Sequence, residues 1–190
     1  MKLLVIIEDK FKDVELVTPL TIFKTSNQFN QLDFYNPKLS SATGKDNLAH
    51  INNILNNVDI DQYDLIFIPG GPGAQDLRKN IISLNLVRKH YDAGKPIVAI
   101  CDAPNVLTEA KVIKNQEFAS YPSLWSNDLR KDNWISNLVS YKEDKLITGN
   151  SPYASAKLAF ITLIKLFGYK VALDTYKSYA GKPDATEIVL

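Results

Sequence analysis

The sequence predicts an α/β fold, a three-layer α/β/α sandwich around a mostly parallel central sheet. Three observations carry this. Short, almost uninterrupted Ile/Val/Leu runs suit strands covered on both faces. Helical patterns of the amphipathic period lie between those runs. Two of the runs stop abruptly, one in a glycine-rich turn and one at a cysteine.

Taken in order, Leu3 to Ile7 is the first strand. A helix over Val14 to Lys24 follows, interrupted by Pro19, which should kink it. Gln31 to Tyr35 is a partly polar strand. Asp64 to Ile68 is a buried strand that runs into Pro69-Gly70-Gly71-Pro72-Gly73. Ile81 to Asp92 has helical spacing, with Gly94 capping it and Pro96 opening the next strand, Pro96 to Ile100. A short helix over Pro104 to Ala110 follows Cys101. Leu138 to Tyr141 and Lys145 to Thr148, joined by Lys142, Glu143 and Asp144, read as a hairpin. Tyr153 to Phe167 is a long helix ended by Gly168. The asparagine-rich stretch around residues 47 to 57 reads as an exposed connection. No linker or repeat divides the 190 residues, so residues 1–190 read as one domain.

Composition narrows the function classes. Hydrophobic residues make up 45% and charged residues 23%, as in soluble globular proteins. The 22 basic and 21 acidic side chains leave a formal charge of +1, which gives no support for a nucleic-acid or membrane-surface partner. No run approaches the roughly 18 apolar residues of a membrane span. The opening apolar stretch is too short for a signal peptide, and Glu8 and Asp9 follow it, so a cytoplasmic location is expected. A single cysteine excludes an internal disulfide and a multi-cysteine zinc site.

The informative segment is Ile97-Val98-Ala99-Ile100-Cys101-Asp102-Ala103-Pro104. A buried strand that runs straight into a cysteine and then a helix places the thiol on a strained elbow at the carboxyl edge of the sheet, where ligands bind in open α/β folds. The helix N-terminus favours the thiolate, which predicts a depressed thiol pKa. Locally the alternative is a small buried residue at a strand end. If the glycine turn lies beside this strand, the N–H groups of Gly71 and Asp102 form a two-donor oxyanion site, with Gly70 next to it. Gly70-Gly71-Pro72-Gly73 has neither the Walker nor the dinucleotide spacing, so no nucleotide cofactor is indicated. Glu15 is a surface carboxylate unless the fold carries it under Cys101. Trp125, Trp134 and Tyr141 suit packing or dimer contacts, Arg130-Lys131 a solvated turn, and His90 an exposed helix position. Tyr153 suits either the site wall or packing.

These segments together resemble the ThiJ/PfpI family, also called the DJ-one family, within the flavodoxin-like, class I glutamine amidotransferase-like superfamily. The resemblance rests on Glu15 to Pro19, on Ile68-Pro69-Gly70-Gly71 with Gly73-Ala74-Gln75, on Ala99-Ile100-Cys101-Asp102-Ala103-Pro104, on Tyr121-Pro122, and on Ile147 to Pro152. It implies that Cys101 is the reactive thiol and that Glu15 is a protonated carboxyl bonded to its sulfur, its pKa raised by burial and by like charge. It also implies Gly71 and Asp102 as oxyanion donors and a homodimer. Several positions depart from the pattern. Tyr121 stands where many members carry histidine. Asp102 stands where the peptidase branch has histidine, and no His-x-Glu dyad follows. Ala103 replaces a glycine, and Gly149-Asn150-Ser151-Pro152-Tyr153 replaces a Ser-x-Gly-Pro-Gly type loop.

The leading expectation is cofactor-independent glyoxalase or deglycase-type chemistry, in which Cys101 attacks a small reactive carbonyl and Tyr121, Tyr153 and Gly70 are candidates for the pocket. The alternative is a non-enzymatic oxidant sensor in which Cys101 passes to a sulfenic or sulfinic acid. A pocket shaped for a substrate favours the first, a sealed one the second. A peptidase or amidase lacks the histidine that would protonate a leaving amine.

Overall fold

A computed structural model describes residues 1–143 and 145–190, without the side chains of residues 142 and 143. The expected polar connection at Lys142, Glu143 and Asp144 therefore falls largely outside the described residues.

The chain alternates as expected and then departs in places. Strand β1 (Lys2–Ile6) leads to helix α1 (Asp13–Thr25) and strand β2 (Gln31–Tyr35). A small antiparallel hairpin, β3 (Ser41–Thr43) with β4 (His50–Asn52), lies in the stretch read as a plain connection. Strand β5 (Leu65–Ile68), the short helix α2 (Ala74–Leu77), helix α3 (Ile81–Asp92) and strand β6 (Ile97–Ile100) follow. Helix α4 (Ala103–Glu109) comes next, then β7 (Phe118–Ala119), a 3-10 segment over Leu124–Leu129 and β8 (Trp134–Ile135). Strands β9 (Val139–Glu143) and β10 (Leu146–Gly149) precede helix α5 (Ser155–Phe167). Helix α6 (Tyr169–Ala180) was not expected. Gly168, at φ 88°, ends α5, but the chain turns there and starts a second helix at once.

The main sheet has the order β2-β1-β5-β6-β10-β9, with every neighbour parallel except the edge pair β10–β9. Successive side chains of one strand point to opposite faces. Leu3, Val5, Phe67, Val98, Ile100 and Ile147 thus enter the core under α1, α5 and α6. Leu4, Ile6, Ile66, Ile68, Ile97 and Ala99 enter the core under α3 and α4. Burial on both faces explains why the strands read as continuous apolar runs.

Helix α1 runs on through Pro19 to Thr25. Pro19, Ile22 and Phe23 are buried and α1 packs on α5, so tertiary contact outweighs the missing backbone bond. The inner face of α3 is Ser83, Leu84, Val87 and His90, at helical spacing, while Ile81 and Ile82 are exposed. His90 is therefore buried, not exposed as expected. Its Nε2–H donates to the Pro96 carbonyl (3.1 Å), and burial lowers its pKa from 6.5 to about 4.

Candidate active site

Strands β5 and β6 are adjacent and parallel, with Ile68 opposite Ala99, so both of their carboxyl-end turns open on one side of the sheet. That register brings the glycine turn beside the cysteine elbow. Cys101 has φ 63°, in the left-handed region that a non-glycine residue enters at a cost of about 1–2 kcal/mol. The elbow is pinned from both sides. Cys101 N–H donates to the Gly149 carbonyl (2.8 Å), and the Cys101 carbonyl accepts from Tyr121 N–H (2.8 Å).

Glu15 lies in the first turn of α1, at 0% exposure. Its Oε2 accepts from Gly70 N–H (3.1 Å). Among the described residues Oε1 has no partner of good hydrogen-bond geometry, and the Cys101 thiol is its neighbour. Gly70 is where the parts converge. A Cβ built there would lie 2.6 Å from Cys101 Cβ, 2.6 Å from the Ile100 carbonyl oxygen and 2.7 Å from Glu15 Oε2, so only glycine fits. Gly71, at φ 94°, is held by the same logic, with the Lys12 nitrogen 2.5 Å from its absent Cβ.

Burial raises the Glu15 pKa from 4.5 to about 7, against the lowering influence of the thiol and of Gly70 N–H. Burial also pushes the Cys101 thiol up. The nearby charge of Glu15 adds to this, while the N–H groups of Gly71 and Asp102 pull it down. This corrects the expectation of a depressed thiol pKa. The amides do act in that direction, but burial and an ionised Glu15 outweigh them. The two groups form a coupled pair. With Glu15 protonated, its charge no longer opposes the thiolate and the amides act alone against burial.

A cavity of about 320 Å³ opens on Cys101. Besides Cys101, Glu15, Gly71 and Asp102 it is walled by Lys12, Lys45, Pro72, Tyr121, Trp125 and Pro152. The structure thus brings Cys101, Glu15, Gly71, Asp102 and Tyr121 together. Two expected pocket residues lie elsewhere. Gly70 is beneath the cavity, facing Glu15 and the elbow. Tyr153 is 85% exposed and its neighbour Pro152 lines the cavity instead, because the 3-10 turn Pro152–Ala154 aims the tyrosine outward. His50 sits on the β3–β4 hairpin with Thr43 Oγ1 at 2.8 Å, away from the thiol. A larger cavity of about 500 Å³, lined in part by Lys114, Lys131 and Asn133, holds none of the expected site residues.

Sequence reasoning missed three contributors. Trp125, expected as packing, is a wall of the Cys101 cavity and its Nε1–H donates to Asp102 (3.1 Å). Arg130, expected to be solvated, donates to the Tyr121 carbonyl (3.2 Å) and lies over the Trp134 ring. Asp13 accepts from the N–H groups of Asp46, Leu48 and Ala49 at 2.8–3.0 Å, which docks the β3–β4 connection, and with it Lys45, at the cavity mouth. Burial would raise the Asp13 carboxyl, but these bonds outweigh it and hold it below its ordinary value. The Glu15-x-x-x-Pro19 spacing carried the only local sequence signal for this part of the site.

Fold and elbow define an α/β protein with a cysteine on a strand-to-helix turn, covered by a carboxyl from the first helix. Comparison with known proteins agrees. The sequence model of the DJ-1/PfpI family matches residues 1–164, and the chain belongs to that family. It is 31% identical over 165 residues to an uncharacterized protein of Mycoplasma genitalium, covering 86% of each. It is 26% identical over 148 residues to a deglycase of Pyrococcus abyssi, covering 77% of this chain and 84% of that one. Among solved structures, Drosophila melanogaster DJ-1beta superposes with a TM-score of 0.83 at 21% identity, covering 95% of this chain and 98% of the other, a likeness of fold. Among the described residues no helix is long and apolar enough to cross a membrane.

Proposed function

We propose that the protein is a cysteine-dependent, glyoxalase or deglycase-type enzyme acting on small reactive carbonyls such as 2-oxoaldehydes, as a homodimer in the cytoplasm. The observation that supports it best is the buried Glu15 carboxyl, with a pKa near neutrality, set against a thiol at the floor of an open cavity. Groups poised near the working pH are the ones that transfer protons well. The deglycase names of several relatives point the same way.

Cys101 sulfur adds to the aldehyde carbon and the carbonyl π pair moves to oxygen. The N–H groups of Gly71 and Asp102 stabilise that oxygen, which takes a proton to give a hemithioacetal. Glu15 takes the proton from the former aldehyde carbon and returns it to the neighbouring carbonyl carbon, while the hemithioacetal hydroxyl gives up its proton and the neighbouring oxygen gains one, so the adduct becomes a 2-hydroxy thioester. Water cleaves the C–S bond, which releases a 2-hydroxy acid and returns the thiol. The redox change is internal to the substrate, so no external oxidant enters. Tyr121 offers a phenol at the cavity wall for orienting the substrate.

The test is formation of a 2-hydroxy acid from a 2-oxoaldehyde, followed by chromatography. Cys101→Ser should abolish it, and Glu15→Gln should slow it by roughly 10²–10⁴-fold. Turnover that survives Cys101→Ser would sink the reading. Absence of turnover, with oxygen added to Cys101 by dilute peroxide, would favour the oxidant sensor. An accessible 320 Å³ cavity, as opposed to a sealed one, supports the enzyme over the sensor.

A further inference from the structure

The Asp102 side chain has a separate task from its backbone N–H. It is 2% exposed, and among the described residues no cation bonds it directly. Instead its oxygens collect five neutral donors. Oδ1 accepts from Asn105 Nδ2 (2.7 Å), Ser123 Oγ (2.7 Å) and Ser126 Oγ (2.8 Å). Oδ2 accepts from Trp125 Nε1 (3.1 Å) and from Gln75 Nε2. A buried carboxylate left short of donors is strongly destabilising, so this convergence is a structural commitment of the surrounding segments.

Three of the five donors come from one stretch, Ser123 to Ser126. Trp125 is 60% exposed, as few large aromatics are, yet its indole N–H is tied inward and its side chain forms a wall of the cavity. Arg78 reinforces the arrangement from behind. Its Nη1 donates to the Trp125 carbonyl (3.1 Å) and to Gln75 Oε1 (3.1 Å), and its Nη2 pairs with Glu109 (2.9 Å).

We propose that the Asp102 carboxylate is a positioning residue that holds the Ser123–Ser126 stretch, and with it the Trp125 ring, as the outer wall of the Cys101 cavity, so that it sets how large a compound reaches the thiol. This rests on the reading of Cys101 as a reactive group, and it restricts the substrate class to small carbonyls. Without the tie the wall has little apolar burial to hold it, since Leu124 is 91% exposed.

The test compares Cys101 alkylation by iodoacetamide with alkylation by a bulky aryl maleimide, in a Trp134→Phe background where Trp125 is the sole tryptophan. Asp102→Asn keeps the shape but turns an N–H₂ or a weaker acceptor toward the donors. It should raise the bulky-to-small rate ratio by roughly tenfold and increase acrylamide quenching of Trp125. Ser123→Ala with Ser126→Ala, which removes two of the ties and leaves the Trp125 ring intact, should move the ratio and the quenching the same way. Asp102→Asn in a Trp125→Ala background should add nothing further, because the two act through one contact. An unchanged ratio and unchanged quenching in Asp102→Asn overturns the proposal, as do strictly additive effects. Should Asp102→Asn not fold, the Ser123→Ala, Ser126→Ala pair decides alone. If neither reagent labels the folded wild type, the reactive-thiol reading fails, while Trp125 quenching still decides on the wall.

Discussion

Glu15 and Cys101 share a problem that neither solves alone: each is buried, and each resists ionising while the other is charged. The first proton leaves the pair near pH 7, where the Glu15 carboxyl titrates. Some fraction of that singly ionised pair holds the proton on Glu15 and the charge on sulfur, where the Gly71 and Asp102 amides meet it. Alkylation by iodoacetamide should therefore rise through an inflection near pH 7 and then level off before a second rise at higher pH. Glu15→Gln should lose the inflection and show one thiol titration, with rates changed by about tenfold near neutrality. Replacing His50 or His90 should leave the profile in place, since neither ring lies at the thiol. A Glu15→Gln profile that overlays wild type would dissolve the pair.

The elbow, as an element, holds backbone strain at the residue that faces the cavity. Cys101 at φ 63° is a conformation that glycine adopts freely and alanine does not. At an ordinary site alanine is the more stable replacement, because glycine loses more entropy on folding. At Cys101 the order should reverse, with Cys101→Gly resisting urea better than Cys101→Ala by about 1 kcal/mol. Alanine proving the more stable would mean the turn is relaxed. The elbow was readable because a buried strand, a cysteine and a helix start are contiguous, and the mostly parallel character of the sheet followed from alternating strands and helices. Other parts depend on what the chain packs against. Helix α6 was missed because its interior face is only Ala172, Thr175 and Tyr176, too polar to mark a buried stripe. The inner face of α3 was misplaced because Ile81 and Ile82 look like core but face solvent, while His90 takes the third inner turn after Leu84 and Val87. Trp125 carries no local sign of its role, since its partner Asp102 lies 23 residues earlier in the chain.

Over the whole molecule, Glu15 and His90 pull the pH dependence of stability in opposite directions. The folded-state pKa of Glu15 is raised, from 4.5 to about 7. Between those values the folded protein holds a proton that the unfolded chain has lost, so this contribution is full below pH 4.5 and is lost as pH rises to about 7. His90 is lowered, from 6.5 to about 4. Between those values the unfolded chain binds the extra proton, so its contribution is full above pH 6.5 and is lost as pH falls to about 4. Each is worth up to about 3 kcal/mol, and over the shared window from 4.5 to 6.5 they largely offset each other. Wild-type stability should then change little across that window on their account. Glu15→Gln, left with His90 alone, should become more stable as pH rises from 4.5 to 6.5. His90→Gln, left with Glu15 alone, should become less stable from 4.5 to 7. Urea midpoints at half-unit pH steps measure both slopes, and differences from wild type cancel the background of other carboxylates. Parallel curves for all three proteins would mean that neither group is neutral in the fold. The sign of the Glu15 slope bears on function as well, because it measures how strongly the folded protein keeps the proton that the proposed chemistry transfers.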